Sequence, residues 1–174
     1  MARVDVFPET GALLDAAADA VTAIAAASIR ARGRVTLALA GGSTPRGLYE
    51  RLAGPWRDGI DWARVHVFWG DERCVPPTHA DSNYRLASET LLRHVPVPDA
   101  QIHRMAGELE PALAARQYTA TLASALDARA GAPPVLDLVL LGLGADGHTA
   151  SLFPGSEAVD DTKNLVVATP PAEG

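Results

Sequence analysis

Three times in this chain an apolar run rich in Val and Leu ends abruptly in glycine, and that recurrence constrains the fold more than any other feature. The runs are Val35 to Ala40 before Gly41-Gly42, Val65 to Trp69 before Gly70, and Val135 to Leu141 before Gly142. Runs of this length and composition read as strands covered on both faces, as parallel sheets require. The third is interrupted only by Asp137. Helical segments separate the runs. Leu14, Ala17, Val21, Ile24, Ala25 and Ile29 recur at three- and four-residue steps in a segment ending near Gly33, which predicts an amphipathic helix. A short helix around Leu48 to Ala53 should stop at Gly54-Pro55, and Asp81 or Ser82 can cap another running to about His94. Leu109 to Ala130 carries a further apolar line. Val4 to Phe7, Gln101 to Met105 and Leu165 to Ala168 read as weaker strands.

Strands alternating with helices predict an α/β fold with a mostly parallel sheet flanked by helices and right-handed crossovers. At 174 residues, 48% of them hydrophobic, one domain over 1–174 is expected. A net charge of −6 with a single lysine, Lys163, argues against a nucleic-acid surface, which needs clustered cations. Cys74 is the sole cysteine, so no intrachain disulfide can form, and the cytoplasm is the expected compartment. Met1 to Pro8 has neither a signal-peptide pattern nor a membrane-spanning run, so no membrane association is expected.

In a parallel sheet the loops that follow the strands emerge on one edge, so the three glycine turns should meet there. The first, Gly41-Gly42-Ser43-Thr44-Pro45-Arg46-Gly47, offers close backbone approach, two hydroxyls and a helix start with free N–H groups. Pro45 suits the first helical position. Without the Lys-Ser/Thr pair of a nucleotide-binding loop, the turn fits a sugar phosphate or another monophosphate. A plain capped turn would look the same in isolation. The second, Gly70-Asp71-Glu72-Arg73-Cys74, sets a carboxylate pair beside a guanidinium that could meet phosphate or carboxylate, or simply be a solvated turn. Cys74 fits a small packed thiol better than a nucleophile.

The third turn, Gly142 to Ser151, places Asp146 and His148 on a glycine-rich loop at a strand end. It formally matches a dinucleotide fingerprint, but Pro154-Gly155 follows where a full helix should. An imidazole, titrating at about pH 6.5, suits a general base, and a carboxylate two residues earlier can orient it. Backbone N–H groups of the turn are candidate oxyanion donors. His66, His79, His94 and His103 show no metal-ligand spacing, so no metal is expected.

Taken together and in this order, the segments Leu39 to Pro45, Trp69 to Pro76 with Asp81-Ser82-Asn83-Tyr84, and Gly142 to Gly155 resemble the 6-phosphogluconolactonase family. That resemblance implies a Rossmann-like sheet, shared with glucosamine-6-phosphate deaminases, and hydrolysis of 6-phospho-D-glucono-1,5-lactone to 6-phosphogluconate. It implies His148 as the base that activates water, with Asp146 beside it and Asp71 in the site. It also implies Gly41, Gly42, Ser43, Thr44, Arg73 and Asn83 around the substrate and its phosphate. The implied partner is a small sugar-phosphate lactone, with no cofactor and a monomer slightly favoured. Family members continue into a further strand and helix, preceded by a basic segment, so the domain is expected to be C-terminally incomplete. An amino-sugar-phosphate deaminase or isomerase of the same fold is the nearest alternative, and it would use an acid that Thr149 to Pro154 lacks. A non-catalytic sugar-phosphate sensor is the other.

Overall fold

The computed structural model describes residues 3–126 and 132–169. Its centre is β1 (Val35–Leu39), buried along its whole length. On one side β1 pairs in parallel with β2 (Val65–Trp69), from Val35 opposite Val65 to Leu39 opposite Trp69. On the other it pairs in parallel with the two-residue β3 (Leu138–Val139). Ile102 adds a single parallel bridge beyond β2, at Val67.

Side chains alternate along β1, which divides the core in two. Val35, Leu37 and Leu39 join the larger cluster under α1 (Thr10–Arg32) and α2 (Ser43–Ala53). Ala38 turns the other way, to Phe68 of β2 and to Tyr118 of a helix on the opposite face (Pro111–Ala125). Helices thus flank a parallel sheet on both faces, as the alternating pattern predicts. α1 is long and apolar enough to cross a membrane by length and composition alone. In the fold its Leu14, Ala18, Val21 and Ala25 line the core, and Gly33 stops it in the left-handed conformation.

Between β2 and the Pro111–Ala125 helix, α3 (Asn83–Ala87) starts where Ser82 accepts a hydrogen bond from the Arg85 N–H, and it continues as wider turns over Ser88–Leu92. The helix Pro111–Ala125 is α4; the predicted extension of its last turn, to Ala130, lies outside the described residues.

Several expectations fail for physical reasons. Val4 to Phe7 is not a strand: Val6 is 89% exposed and no neighbouring strand lies beside it among the described residues. Gln101 to Met105 contributes only the Ile102 bridge, and Leu165 to Ala168 forms no strand. The largest departure is Val135 to Leu141, of which only Leu138–Val139 enter the ladder, while Val135 and Leu141 are 77% and 60% exposed. Among the described residues this strand has a ladder neighbour on one side only, and Val139 is 42% exposed, so it is not covered on both faces there. Asp137, the polar interruption, fixes its register. Its carboxylate accepts from the Thr36 N–H at 2.8 Å and the Thr36 hydroxyl at 3.0 Å, and pairs with Arg32.

Two buried tyrosines close the carboxyl ends of the other strands. The Tyr49 hydroxyl accepts from the Ala40 N–H at 2.9 Å and donates to the Ala40 carbonyl at 2.6 Å. From the opposite face, the Tyr118 hydroxyl accepts from the Trp69 N–H at 2.8 Å and donates to its carbonyl at 3.3 Å. Burial pushes both phenols far above their ordinary range, so both remain protonated and can donate. Tyr49→Phe should leave the Ala40 N–H and carbonyl unsatisfied in the core and destabilise the fold by about 1–3 kcal/mol. Urea denaturation checks this, and an unchanged midpoint would contradict it.

Candidate active site

The first turn begins α2 at Ser43, with Gly42 at the cap in an extended conformation of positive φ (104°). Pro45 is therefore the third helical residue, not the first. It is tolerated because no first-turn N–H has an intrahelical partner. Gly42, Ser43 and Arg46 line an open cleft of about 490 Å³ with Arg73, Asn83 and Arg85 on its other walls, together with the carboxylates of Asp81 and Glu89. Arg85 is paired with Glu89 at 2.8 Å, whereas neither Arg46 nor Arg73 forms an ion pair among the described residues. The N–H groups of the helix start share one cleft with the guanidiniums of Arg46 and Arg73, neither of them in an ion pair among the described residues, an arrangement that suits an anion. Arg46 is a component that sequence reasoning missed, although it stands beside Pro45 in the same turn. Thr44 is exposed and lines no cleft of the site.

Around the second turn the two acids differ sharply. Glu72 is structural: its carboxylate accepts from the backbone N–H groups of Arg73, Asn83 and Tyr84 at 2.7–2.8 Å and from the Ser82 hydroxyl at 3.1 Å. It thereby caps α3 and is not a substrate-facing partner of Asp71. Asp71 bridges instead. One carboxylate oxygen accepts from the Asn83 side-chain amide at 3.2 Å, and the other accepts from the Ser151 hydroxyl at 2.7 Å. Asn83 is almost fully buried, and its amide lies where a Cβ on Gly41 would overlap it, so Gly41 can only be glycine here. Cys74 is exposed and not packed, contrary to expectation.

The third turn sets His148 against Asp146. The His148 Nδ1 lies 2.6 Å from the Asp146 carboxylate, which also accepts from the His148 backbone N–H at 3.2 Å. Those two interactions, the backbone one foremost, hold the Asp146 carboxyl below the usual carboxylate range. The ring rests on Phe153, with centroids 4.7 Å apart, and its Nε2 makes no hydrogen bond among the described residues. With Nδ1 committed to a carboxylate, Nε2 is the nitrogen able to take a proton. The turn is closed by Gly144 N–H to the His148 carbonyl at 2.8 Å and by Gly147 N–H to the Gly144 carbonyl at 3.0 Å. These two N–H groups are committed inside the turn and so are not oxyanion donors. Among the described residues no α-helix follows, only a Thr149–Leu152 bridge and a single 3-10 turn at Glu157–Val159, which removes the dinucleotide match.

The three turns do converge on one edge, but not into one cavity. A second cleft of about 330 Å³ is lined by Asp71, Arg73 and Ser151, with an apolar floor from α4 and Leu136. Arg73 is common to both clefts, Ser43 lines only the first, and His148 lines neither. The contact between the His148 turn and the rest of the site runs through Ser151 and Asp71. Among the described residues no three His, Cys, Asp or Glu side chains cluster as metal ligands would.

A parallel sheet with a helix start suited to an anion and an Asp-His pair on neighbouring turns describes a sugar-phosphate enzyme scaffold. The family model for glucosamine-6-phosphate isomerases and 6-phosphogluconolactonases matches residues 8–174, and the chain belongs to that family. It is 45% identical over 165 residues to a 6-phosphogluconolactonase of Synechocystis, covering 94% of this chain and 68% of the relative. A Nostoc 6-phosphogluconolactonase is 41% identical over 164 residues, at 94% and 67% coverage. Among solved structures, the 6-phosphogluconolactonase of Trypanosoma cruzi superposes with a TM-score of 0.85 at 31% identity, over 100% of this chain and 71% of that one. The chain thus spans about two thirds of the length of these relatives.

A Cβ on Gly144 would overlap both the His148 ring and the Asp146 carboxylate. Gly144→Ala should therefore part the pair and let the Asp146 titration move up toward the ordinary carboxylate range, read by carbon NMR across pH 2–6, roughly bracketing that range. An unmoved titration in the folded variant would contradict the role given to this glycine.

Proposed function

We propose that this protein hydrolyses 6-phospho-D-glucono-1,5-lactone to 6-phosphogluconate, as a soluble single-domain enzyme of the cytoplasm acting on a small sugar-phosphate lactone. The observation that carries the proposal is the Asp146–His148 pair, with a free Nε2, on a turn tied to the anion cleft. The names of the relatives support the same reaction.

A lactone carbonyl is already electrophilic, so the protein must position a water, accept its proton and hold the phosphate. In this reading the phosphate sits at the start of α2, near Gly42 and Ser43, with Arg46 and Arg73 beside it. A water attacks the carbonyl carbon while His148 Nε2 takes one of its protons. Asp146 holds Nδ1–H and stabilises the imidazolium that forms. The tetrahedral adduct then collapses, the bond from the carbonyl carbon to the ring oxygen breaks, and the imidazolium returns its proton to that oxygen. The product carries a new carboxyl group and a freed hydroxyl, and the base is regenerated. No redox partner enters the balance. The two-carbon proton shuttle of an isomerase would need a further acid, and Thr149 to Pro154 contains none.

His148→Ala should lower lactone hydrolysis by about two to four orders of magnitude without unfolding the protein, the range for loss of a positioned general base. The assay follows proton release with the spontaneous rate subtracted, and a corrected rate equal to wild type would overturn the assignment. Arg73→Ala tests the other half of the site. It should raise KM about tenfold or more, as expected for loss of a charge-assisted hydrogen bond, with a smaller effect on kcat. Unchanged kinetics would remove Arg73 from the phosphate site.

A further inference from the structure

We infer that Ser151 is a positioning residue: through Asp71 and Asn83 it fixes the turn that bears His148 at a set distance from the anion cleft. The inference rests on the proposed lactone hydrolysis for its kinetic consequence, but its structural content stands independently of it.

Little else holds this turn among the described residues. Gly142 to Phe153 follows a strand of two residues, Leu143 is 82% exposed, and the internal bonds of the turn fix its shape without fixing its place. One side-chain bond crosses from it to the second turn, the 2.7 Å contact from the Ser151 hydroxyl to Asp71. Asp71 is itself immobilised from the other side, because the Asn83 amide donates both to its carboxylate, at 3.2 Å, and to its backbone carbonyl, at 3.1 Å. Asn83 is only 4% exposed, lies at the start of α3 and packs against Gly41 of the anion turn. The order Gly41, Asn83, Asp71, Ser151 therefore spans all three turns in direct contacts.

The backbone beside Ser151 shows that its orientation is imposed. Ala150 has a φ of 50°, the one non-glycine residue with positive φ among the described residues. An alanine held in that region costs on the order of 1 kcal/mol, so the surrounding contacts must over-determine it. The Ser151 bond to a carboxylate is the strong contact adjacent to that strain. Both Asp71 oxygens accept from donors within the protein, so in this arrangement Asp71 joins the turns.

Ser151→Ala removes the hydroxyl and nothing else, and Ser151→Thr restores it. Amide exchange by NMR reads the position of the turn without any substrate. In Ser151→Ala the amides of Gly144 and Gly147 should exchange about tenfold faster, while the core amide of Ala40 is unchanged, and Ser151→Thr should restore the wild-type rates. With the phosphorylated lactone, Ser151→Ala should lower kcat about 10- to 100-fold with KM within about twofold, because the phosphate is still held but the base is displaced. Ser151→Thr should recover most of the rate. Unchanged exchange at Gly144 and Gly147 in folded Ser151→Ala would overturn the inference, as would faster exchange with unaltered kcat. If wild-type protein does not hydrolyse the lactone, the proposed function fails and the exchange rates alone decide the role of Ser151.

Discussion

A strand buried on both faces must satisfy its backbone to the last residue, and in this protein the exit of β1 at Ala40 is where that requirement shapes everything nearby. Beyond Leu39 the ladder to β2 ends, yet Ala40 is still buried at 7% exposure. The Tyr49 hydroxyl takes both of its backbone groups and so draws α2 back over the strand end. That fixes the start of α2, and with it the N–H groups at Gly42 to Thr44, against the sheet edge. Tyr118 does the same for Trp69 from the opposite face, so the second turn leaves the sheet at the same level as the first. The site is thus located by the closing of strand ends in the core before any polar contact between turns is made.

The polar contacts then set the orientation. Most of the acids near the site act locally, since Glu72 caps α3, Asp71 joins three turns and Asp146 holds a histidine ring. Each negative charge is met by donors where it stands. Arg46 and Arg73 form no ion pair among the described residues, and with Arg85 they set three guanidiniums against the two carboxylates, Asp81 and Glu89, that line the cleft in a chain of net charge −6. Overall charge excludes a polyanionic surface, but it says little about one phosphate, whose field is set by groups within about a Debye length.

The sequence makes the framework legible to the extent that it follows from burial. β1, β2 and α1 are found where periodicity places them, because each buries a continuous apolar face. Val135 to Leu141 has the same composition but, among the described residues, a ladder neighbour on one side only, and composition cannot tell how many neighbours a strand has. Polar pairings divide in the same way. Asp146 with His148 is local, two residues apart, and can be read directly. Ser151 with Asp71 joins residues 80 apart, and the Thr36–Asp137 pairing spans 101, so neither leaves a mark in any window of the sequence. Glu72 is hidden for a related reason. A carboxylate next to Asp71 and Arg73 looks like part of a charged cluster, and only the path of the chain shows that it receives the backbone of α3.

The same division between packed and shallow parts bears on the histidine, whose turn is the least supported of the three among the described residues. A general base has to leave a nitrogen free, so its surroundings cannot satisfy it completely, and a deeply packed strand end would do so. The glycine turn resolves the conflict by shaping itself internally, with Gly144 making room for the ring and Asp146 taking only Nδ1. Among the described residues Leu141 and Leu143 are exposed, so the contact that ties the turn to the second turn is a polar one. A hydroxyl-carboxylate bond to an acid already held by a buried amide anchors the turn without burying it. The same Asp71 that sequence proximity to Arg73 suggests for the chemistry is, by its contacts, the point where a rigid part of the site meets a shallow one.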